Sequence, residues 1–179
     1  MAYALREWND VDGEPSTFDR LFLDQYERIA AIAFRILGDR DEAEDVAQDV
    51  FYSYYRQHQP DAPYAAAWLA RAAAHTALNV IRGRQRRSRR EETVHGEHAA
   101  IHDGPADPEQ SALEAERRSE VREALARIGE KQAAVLALRY SGLSYAEVAA
   151  ALGVTIGQVG TMLRRAEAAL RKELIHETH

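Results

Sequence analysis

The sequence predicts an all-α protein: two small helical domains joined by a flexible linker, the second containing a helix-turn-helix. Three observations carry this. Apolar residues recur at three- and four-residue spacing along most of the chain, and no segment requires a strand. Helix punctuation brackets those stretches, with Ser16 or Thr17, Asp41, Asp107 and Ser144 at starts and Gly38, Gly142 and Gly153 at ends. One stretch, residues 88–106 (SRREETVHGEHAAIHDGPA), is charged, glycine-containing and aperiodic, which reads as a linker.

Residues 1–15 are polar and without period, a loose tail. The first domain spans 16–87. Its first helix turns Phe18, Leu21, Phe22, Ile29, Ile32, Ala33 and Ile36 inward and ends at Leu37-Gly38. Asp41 and Glu44 have capping-box spacing before the second helix, EAEDVAQDVFYSYYRQ. Its inward stripe is Ala43, Ala47, Val50, Phe51 and Tyr54, and Asp45, Gln48, Asp49, Tyr52 and Arg56 make an opposite, largely polar face. HQPDAP (58–63) breaks the pattern, with Pro63 suited to a helix's first turn. The third helix packs through Leu69, Ala73, Thr76, Ala77 and Val80. Along it Arg71, His75, Asn79, Arg82 and Arg86 form one polar stripe.

The second domain spans 107–175. Asp107-Pro108-Glu109-Gln110 combines an N-cap, a proline at N1 and a glutamine at N3. That helix runs to about Ile128, with Leu113, Val121, Ala124, Leu125 and Ile128 as its apolar face. Another covers Glu130 to Tyr140, closed by Gly142. Ser144 and Glu147 then form a capping box, Gly153 supplies the positive φ that stops a short helix, and Thr155 opens the last one. Ile156, Val159, Leu163, Ala166 and Leu170 give that helix its apolar side. Ala149 lies four residues before the turn glycine and Val159 six after it, so 144–168 reads as a helix-turn-helix whose second helix fits a DNA major groove. An ordinary helical hairpin is the alternative, but it would accept any small residue at these places.

Net charge is −6, yet its distribution matters more than its sum. Residues 1–60 carry 6 basic and 13 acidic groups, 61–90 carry 7 and 1, 91–130 carry 4 and 11, and 131–179 carry 6 and 4. Charges act locally over a screening length of about 10 Å, so a basic stripe between acidic segments can still bind nucleic acid. Folding back, those acidic segments would mask the stripe in the free chain. There is no cysteine, which excludes disulfides, thiolate metal sites and a Cys nucleophile. No apolar run approaches a membrane span and the acidic start is unlike a signal peptide, so a cytoplasmic protein is expected, without membrane insertion.

Arginines at helical spacing suit phosphates along a groove wall, and Asn79 and His75 suit base edges. Trp68 and Tyr64 are either core or a stacking platform for unstacked bases, with core favoured for Trp68. The face of Asp45, Gln48 and Asp49 repels DNA and suits a basic protein surface, or is merely solvated. His95, His98 and His102 have ligand-like spacing but sit in the linker with no carboxylate scaffold. No catalytic constellation, cofactor site or metal site is expected.

In this order the segments resemble the extracytoplasmic-function sigma factors of bacterial RNA polymerase, over about Thr17 to Leu174. DEAEDVAQDVFYSYYR is similar to the family's polymerase-binding helix. The resemblance implies that Asp45, Gln48, Asp49 and Tyr52 contact core RNA polymerase, at the clamp helices of its largest subunit, with further contact at the flap region. AAWLARAAAHTALNVIRGRQRR is similar to the helix that reads and melts the −10 element. His58, Tyr64, Trp68, Arg71, His75, Asn79, Arg82 and Arg86 are then the −10 DNA-binding residues, with Tyr64 and its loop taking a flipped base. Thr155, Gln158, Thr161, Arg164 and Arg165 are the −35 DNA-binding residues. Promoter DNA, double-stranded and melted, and an anti-sigma factor or other regulator are the implied partners. Where the family usually has Arg-Asn, this chain has Ala74-His75, and Asn79 replaces an Asp. Gly160-Thr161-Met162 stand where Lys-Ser-Arg is common, which removes two cations and implies weak −35 affinity and an unusual −35 sequence. On the residues alone, a DNA-binding regulator without polymerase and a protein-interaction adaptor remain open.

Overall fold

The computed structural model describes residues 15–91 and 108–177, all within helices and their short connections. Seven helices follow in order: α1 Thr17–Leu37, α2 Arg40–Gln57, α3 Ala65–Glu91, α4 Pro108–Arg127, α5 Glu130–Tyr140, α6 Tyr145–Leu152 and α7 Ile156–Glu177. The tail before residue 15, the expected cap Asp107 and the linker histidines His95, His98 and His102 lie outside the described residues.

Capping explains most boundaries. Ser16 Oγ accepts from the Asp19 N–H at 3.2 Å, and Asp19 Oδ2 accepts from the Ser16 N–H at 2.9 Å, a reciprocal box. Gly38 takes φ 73° and donates to Phe34 O at 2.7 Å, closing α1 in a conformation that penalises a Cβ. The second helix starts two residues earlier than its sequence suggests: Asp39 Oδ1 accepts from the Glu42 N–H at 2.9 Å, leaving Asp41 inside the first turn. With only Gly38 and Asp39 between α1 and α2, the acid next to Gly38 is the one whose backbone is still extended and able to cap. Pro63 sits in the turn before α3 rather than in its first turn, because bonds from Ala62 to Gln59 O and from Ala65 to Ala62 O use the loop as two tight bends.

The core of α1, α2 and α3 is Ile29, Ile32, Ile36, Ala47, Val50, Phe51, Tyr54, Leu69, Ala73 and Ala77, all buried. Ala70, Ala74, Leu78 and Ile81 are buried as well, so α3 is covered on two sides. It packs against α1 and α2 and also against α4, α5 and α6, which makes the apolar core continuous between the two halves. α3 also runs unbroken to Glu91, into the segment expected to be linker.

In the second half Leu138, Leu143, Val148, Val159 and Ala166 are almost or fully inaccessible. Leu113 and Val121, expected on the inner face of α4, are 54% and 39% exposed. The helix packs against α3 and α7, its buried or half-buried apolar residues being Ala124, Leu125 and Ala126 with Ile128 just beyond its end, while Val121 lines an open recess with Arg35, Ile36, Leu136 and Tyr140. α6 and α7 turn through 89° about Gly153, whose φ of 66° ends α6. Ala149 and Val159 are both buried, as a steep crossing of two helices needs. Ile156, expected on the apolar side, is 57% exposed because it lies at the open start of α7. Among the described residues no single helix is long and apolar enough to cross a membrane.

Glu147 joins the two halves. Its carboxylate accepts from the Ser144 N–H at 2.8 Å, pairs with the Arg28 side chain and accepts from the Ser144 hydroxyl. The Ser144 backbone bond first, and then the Arg28 bond, lower its pKa from 4.5 to about 2. A carboxylate depressed on folding adds stability that is complete above its unfolded value and is lost as pH falls toward the folded one. Glu147→Gln is therefore expected to lower Tm at neutral pH, with the gap closing between pH 4.5 and about 2 in thermal melts. A gap constant across that range would remove the carboxylate's charge from the account.

Candidate functional site

Three exposed surfaces and one closed contact emerge. On α2, burial of Val46, Ala47, Val50, Phe51 and Tyr54 forces Asp45, Gln48, Asp49, Tyr52 and Arg56 outward, and all five are exposed. Asp45 and Asp49 enter no ion pair among the described residues, whereas Gln48 is hydrogen-bonded to the Tyr26 side chain. The Tyr26 hydroxyl is held above its ordinary pKa by burial, then by the Glu44 carboxylate, with the Gln48 bond acting in the opposite direction. Arg56 lies over the Tyr52 ring at 5.7 Å. Tyr55 was not expected here. It is 63% exposed and rests edge-on against Phe18 with centroids 4.9 Å apart. The Tyr-Tyr pair at 54–55 splits across the helix surface, one ring inside and one out, which periodicity alone would have shown.

At the far end of α2 an aromatic corner forms. The Tyr54 hydroxyl donates to Gln59 O at 2.7 Å and so pins the loop that follows. His58 stacks on Tyr54 at 5.0 Å, approaches Trp68 at 4.8 Å and meets the Tyr64 edge at 5.8 Å. Tyr64 Oη is also 3.4 Å from His58 Nδ1. Trp68 is partly buried against the core, while Tyr64 stays 49% exposed. A planar group entering from solvent would meet Tyr64 and His58 first, on a base that Tyr54 and Trp68 keep rigid.

The polar stripe of α3 divides. Arg71, Asn79 and Arg86 are exposed. His75 Nδ1 instead lies 2.8 Å from Glu130 Oε1, at the start of α5. Arg82 donates to Ala126 O at 3.4 Å and Ile128 O at 3.3 Å, filling carbonyls left open at the end of α4, where a cation also suits the helix dipole. Gln85 donates to Glu123 O at 3.3 Å, and Arg84 pairs with Glu42 of α2. Sequence spacing places His75 and Arg82 on the stripe correctly, but the second half occupies them.

On α7, Thr155, Gln158, Thr161, Arg164 and Arg165 are all exposed on one surface beside the turn. Thr155 stands at the N-cap position just before Ile156, but its hydroxyl does not accept from the helix: its N–H and its hydroxyl both donate to Gln158 Oε1, at 2.8 and 3.0 Å. Tyr145, 43% exposed with Arg139 5.5 Å from its ring centroid, adds an unforeseen aromatic and cation beside this helix. A Cβ at Gly160 would meet only the Tyr145 ring, at 3.8 Å. Gly160→Ala is thus expected to stabilise the chain by about 1 kcal/mol through helix propensity, raising Tm by roughly 2–4 °C in thermal unfolding. An unchanged or lower Tm would mean that the ring cannot accept a methyl group.

Residues 21–87 match the family model Sigma-70 region 2, and residues 118–170 match Sigma-70, region 4. The chain is 31% identical over 172 residues to the RNA polymerase sigma-H factor of Pseudomonas aeruginosa, covering 90% of this chain and 88% of that one. It is 31% identical over 152 residues to the ECF RNA polymerase sigma factor SigK of Mycolicibacterium vanbaalenii, covering 81% and 75%. With the ECF RNA polymerase sigma factor SigW of Bacillus subtilis it shares 27% over 158 residues, covering 83% of each. Two solved structures share the fold. The sigma factor RpoE of Bartonella quintana, in complex with the anti-sigma factor NepR, has a TM-score of 0.51 at 24% identity, covering 88% of this chain and 96% of that one. CnrH, in complex with the cytosolic domain of CnrY, has a TM-score of 0.52 at 22% identity, covering 92% and 91%.

Proposed function

The chain belongs to the extracytoplasmic-function sigma factors, subunits that bind core RNA polymerase and direct promoter-specific initiation, and from that premise we propose how its surfaces divide the work. Residues 16–87 act as sigma region two and 107–175 as region four. Asp45, Gln48, Asp49 and Tyr52 bind the clamp helices of the largest polymerase subunit. One observation carries this: two unpaired carboxylates and an anchored glutamine stand together on a solvent face opposite a buried stripe. A solvated face alone has no need of the Tyr26 anchor.

His58 and Tyr64 receive an unstacked −10 base on the footing of Tyr54 and Trp68, and Arg71, Asn79 and Arg86 follow the strand. His75 and Arg82 join them only after the second half leaves α3, so the free chain is held closed. α7 reads −35 DNA through Thr155, Gln158, Thr161, Arg164 and Arg165. Initiation proceeds by binding energy, without hydrolysis, in the cytoplasm where polymerase acts. A regulator of the anti-sigma kind is included because RpoE was solved with NepR. The polymerase-independent regulator and the adaptor lose their ground, since the region 2 match spans α2 whole.

Run-off transcription with core polymerase on a promoter library tests the assignment. Specific transcripts starting downstream of paired −35 and −10 elements are expected. Duplex binding without transcripts would sink it.

A further inference from the structure

Gln158 is the third residue of α7, exposed, on the end of the helix that meets base edges when a helix-turn-helix docks. Its carboxamide is not free to turn. Oε1 accepts from the Thr155 backbone N–H at 2.8 Å and from the Thr155 hydroxyl at 3.0 Å. An N–H only donates, so the atom facing Thr155 is the oxygen, and two donors fill its two lone pairs. The amide NH2, on the other side of the planar group, makes no hydrogen bond among the described residues. Gln158 therefore meets DNA as a donor alone.

That changes what it can read. A free glutamine recognises adenine by donating to N7 while accepting from the N6 amino group. With its oxygen committed, the second bond is lost. Guanine offers two adjacent acceptors, N7 and O6, while cytosine presents a donor and repels the group. Gly157 and Gly160, beside it on the helix, carry no side chains.

We propose that Gln158, locked by Thr155, is a base-specificity determinant of the −35 element and selects guanine over adenine at one position. The inference rests on α7 being the −35 reader. Glu is equally able to accept from Thr155 but presents an oxygen where the NH2 stood, so Gln158→Glu keeps the helix start and inverts the outward chemistry.

The experiment is selection of −35 sequences from a randomised promoter library by holoenzyme assembled from core polymerase and the full chain. Wild type, Gln158→Glu and Gln158→Ala are compared, with thermal melts confirming unchanged folding. Wild type is expected to prefer G over A by about fivefold or more at one position. Gln158→Glu moves that position toward C, Gln158→Ala flattens it, and the other positions keep their preferences. Adenine preference in the wild type, or a position indifferent to both variants, overturns the inference while leaving α7 as the reader. No −35 enrichment, with the −10 element still selected, overturns both.

Discussion

The chain carrying Asp45→Arg and Asp49→Arg is expected to lose promoter-specific transcripts with core polymerase while staying folded. Both carboxylates are exposed and outside any ion pair among the described residues, so their replacement strands no partner. Exposed substitutions of this kind usually change stability by about 0.5 kcal/mol or less. Binding is another matter. Two reversals on adjacent turns set four units of charge change against a basic partner surface, and like charges meeting across an interface cost several kcal/mol. At 1.4 kcal/mol per tenfold, affinity for core polymerase falls by roughly 100-fold or more. Co-purification with core polymerase and run-off transcription read the loss, and a melt checks the fold. Gln48→Ala provides a graded companion, since it removes an anchored contact without reversing charge. Undiminished transcription by the double variant would show that α2 is not the polymerase-binding face.

Much of this was legible because helices announce themselves locally. Ser16 and Ser144 cap, Gly38 and Gly153 stop, and the acidic face of α2 follows from the burial of every third or fourth residue. The departures share a cause, which is that periodicity assigns each helix one inner face. α3 has two. Ala70 and Ala74 are buried outside the expected stripe, and alanines carry no polarity signal and pass equally for a solvated side. For the same reason the apolar part of the contact between halves left no trace in the pattern, and the composition of 88–106 suggested only a tether. Conversely, α4 shows apolar residues at the right spacing, but Leu113 and Val121 stay exposed, Val121 at the edge of an open recess, and the buried apolar residues begin only at Ala124. The Thr155 cap failed on a finer point. Thr155 holds the cap position, but its hydroxyl donates to Gln158 instead of accepting from the helix, and sequence does not say which way a hydroxyl will turn.

The contact between halves yields the second prediction. Charge alone suggested that acidic segments would mask the arginine stripe, and the closed form is more specific. Glu130 meets His75, Arg28 meets Glu147, and the carbonyl end of α4 receives Arg82. His75 and Arg82 are assigned to −10 DNA, so free protein should bind a non-template −10 oligonucleotide poorly and holoenzyme should bind it well. Glu130→Ala with Arg28→Ala removes one partner from the His75–Glu130 contact and one from the Arg28–Glu147 ion pair and leaves formal net charge unchanged, so any gain in DNA binding is not simple electrostatics. Partly exposed ion pairs contribute about 0.2–1 kcal/mol each, so together they shift the closed–open balance by roughly 1 kcal/mol, or about fivefold. Fluorescence anisotropy with a labelled oligonucleotide should show the free double variant binding about that much more tightly, with holoenzyme affinity unchanged. The asymmetry is what makes the result diagnostic. A variant that improves or harms the DNA contact itself moves both values, whereas one that releases a mask moves only the state in which the mask exists. Equal affinity of free wild type and free variant would show that the packing of α3 against α4 and α5 does not limit access to −10 DNA.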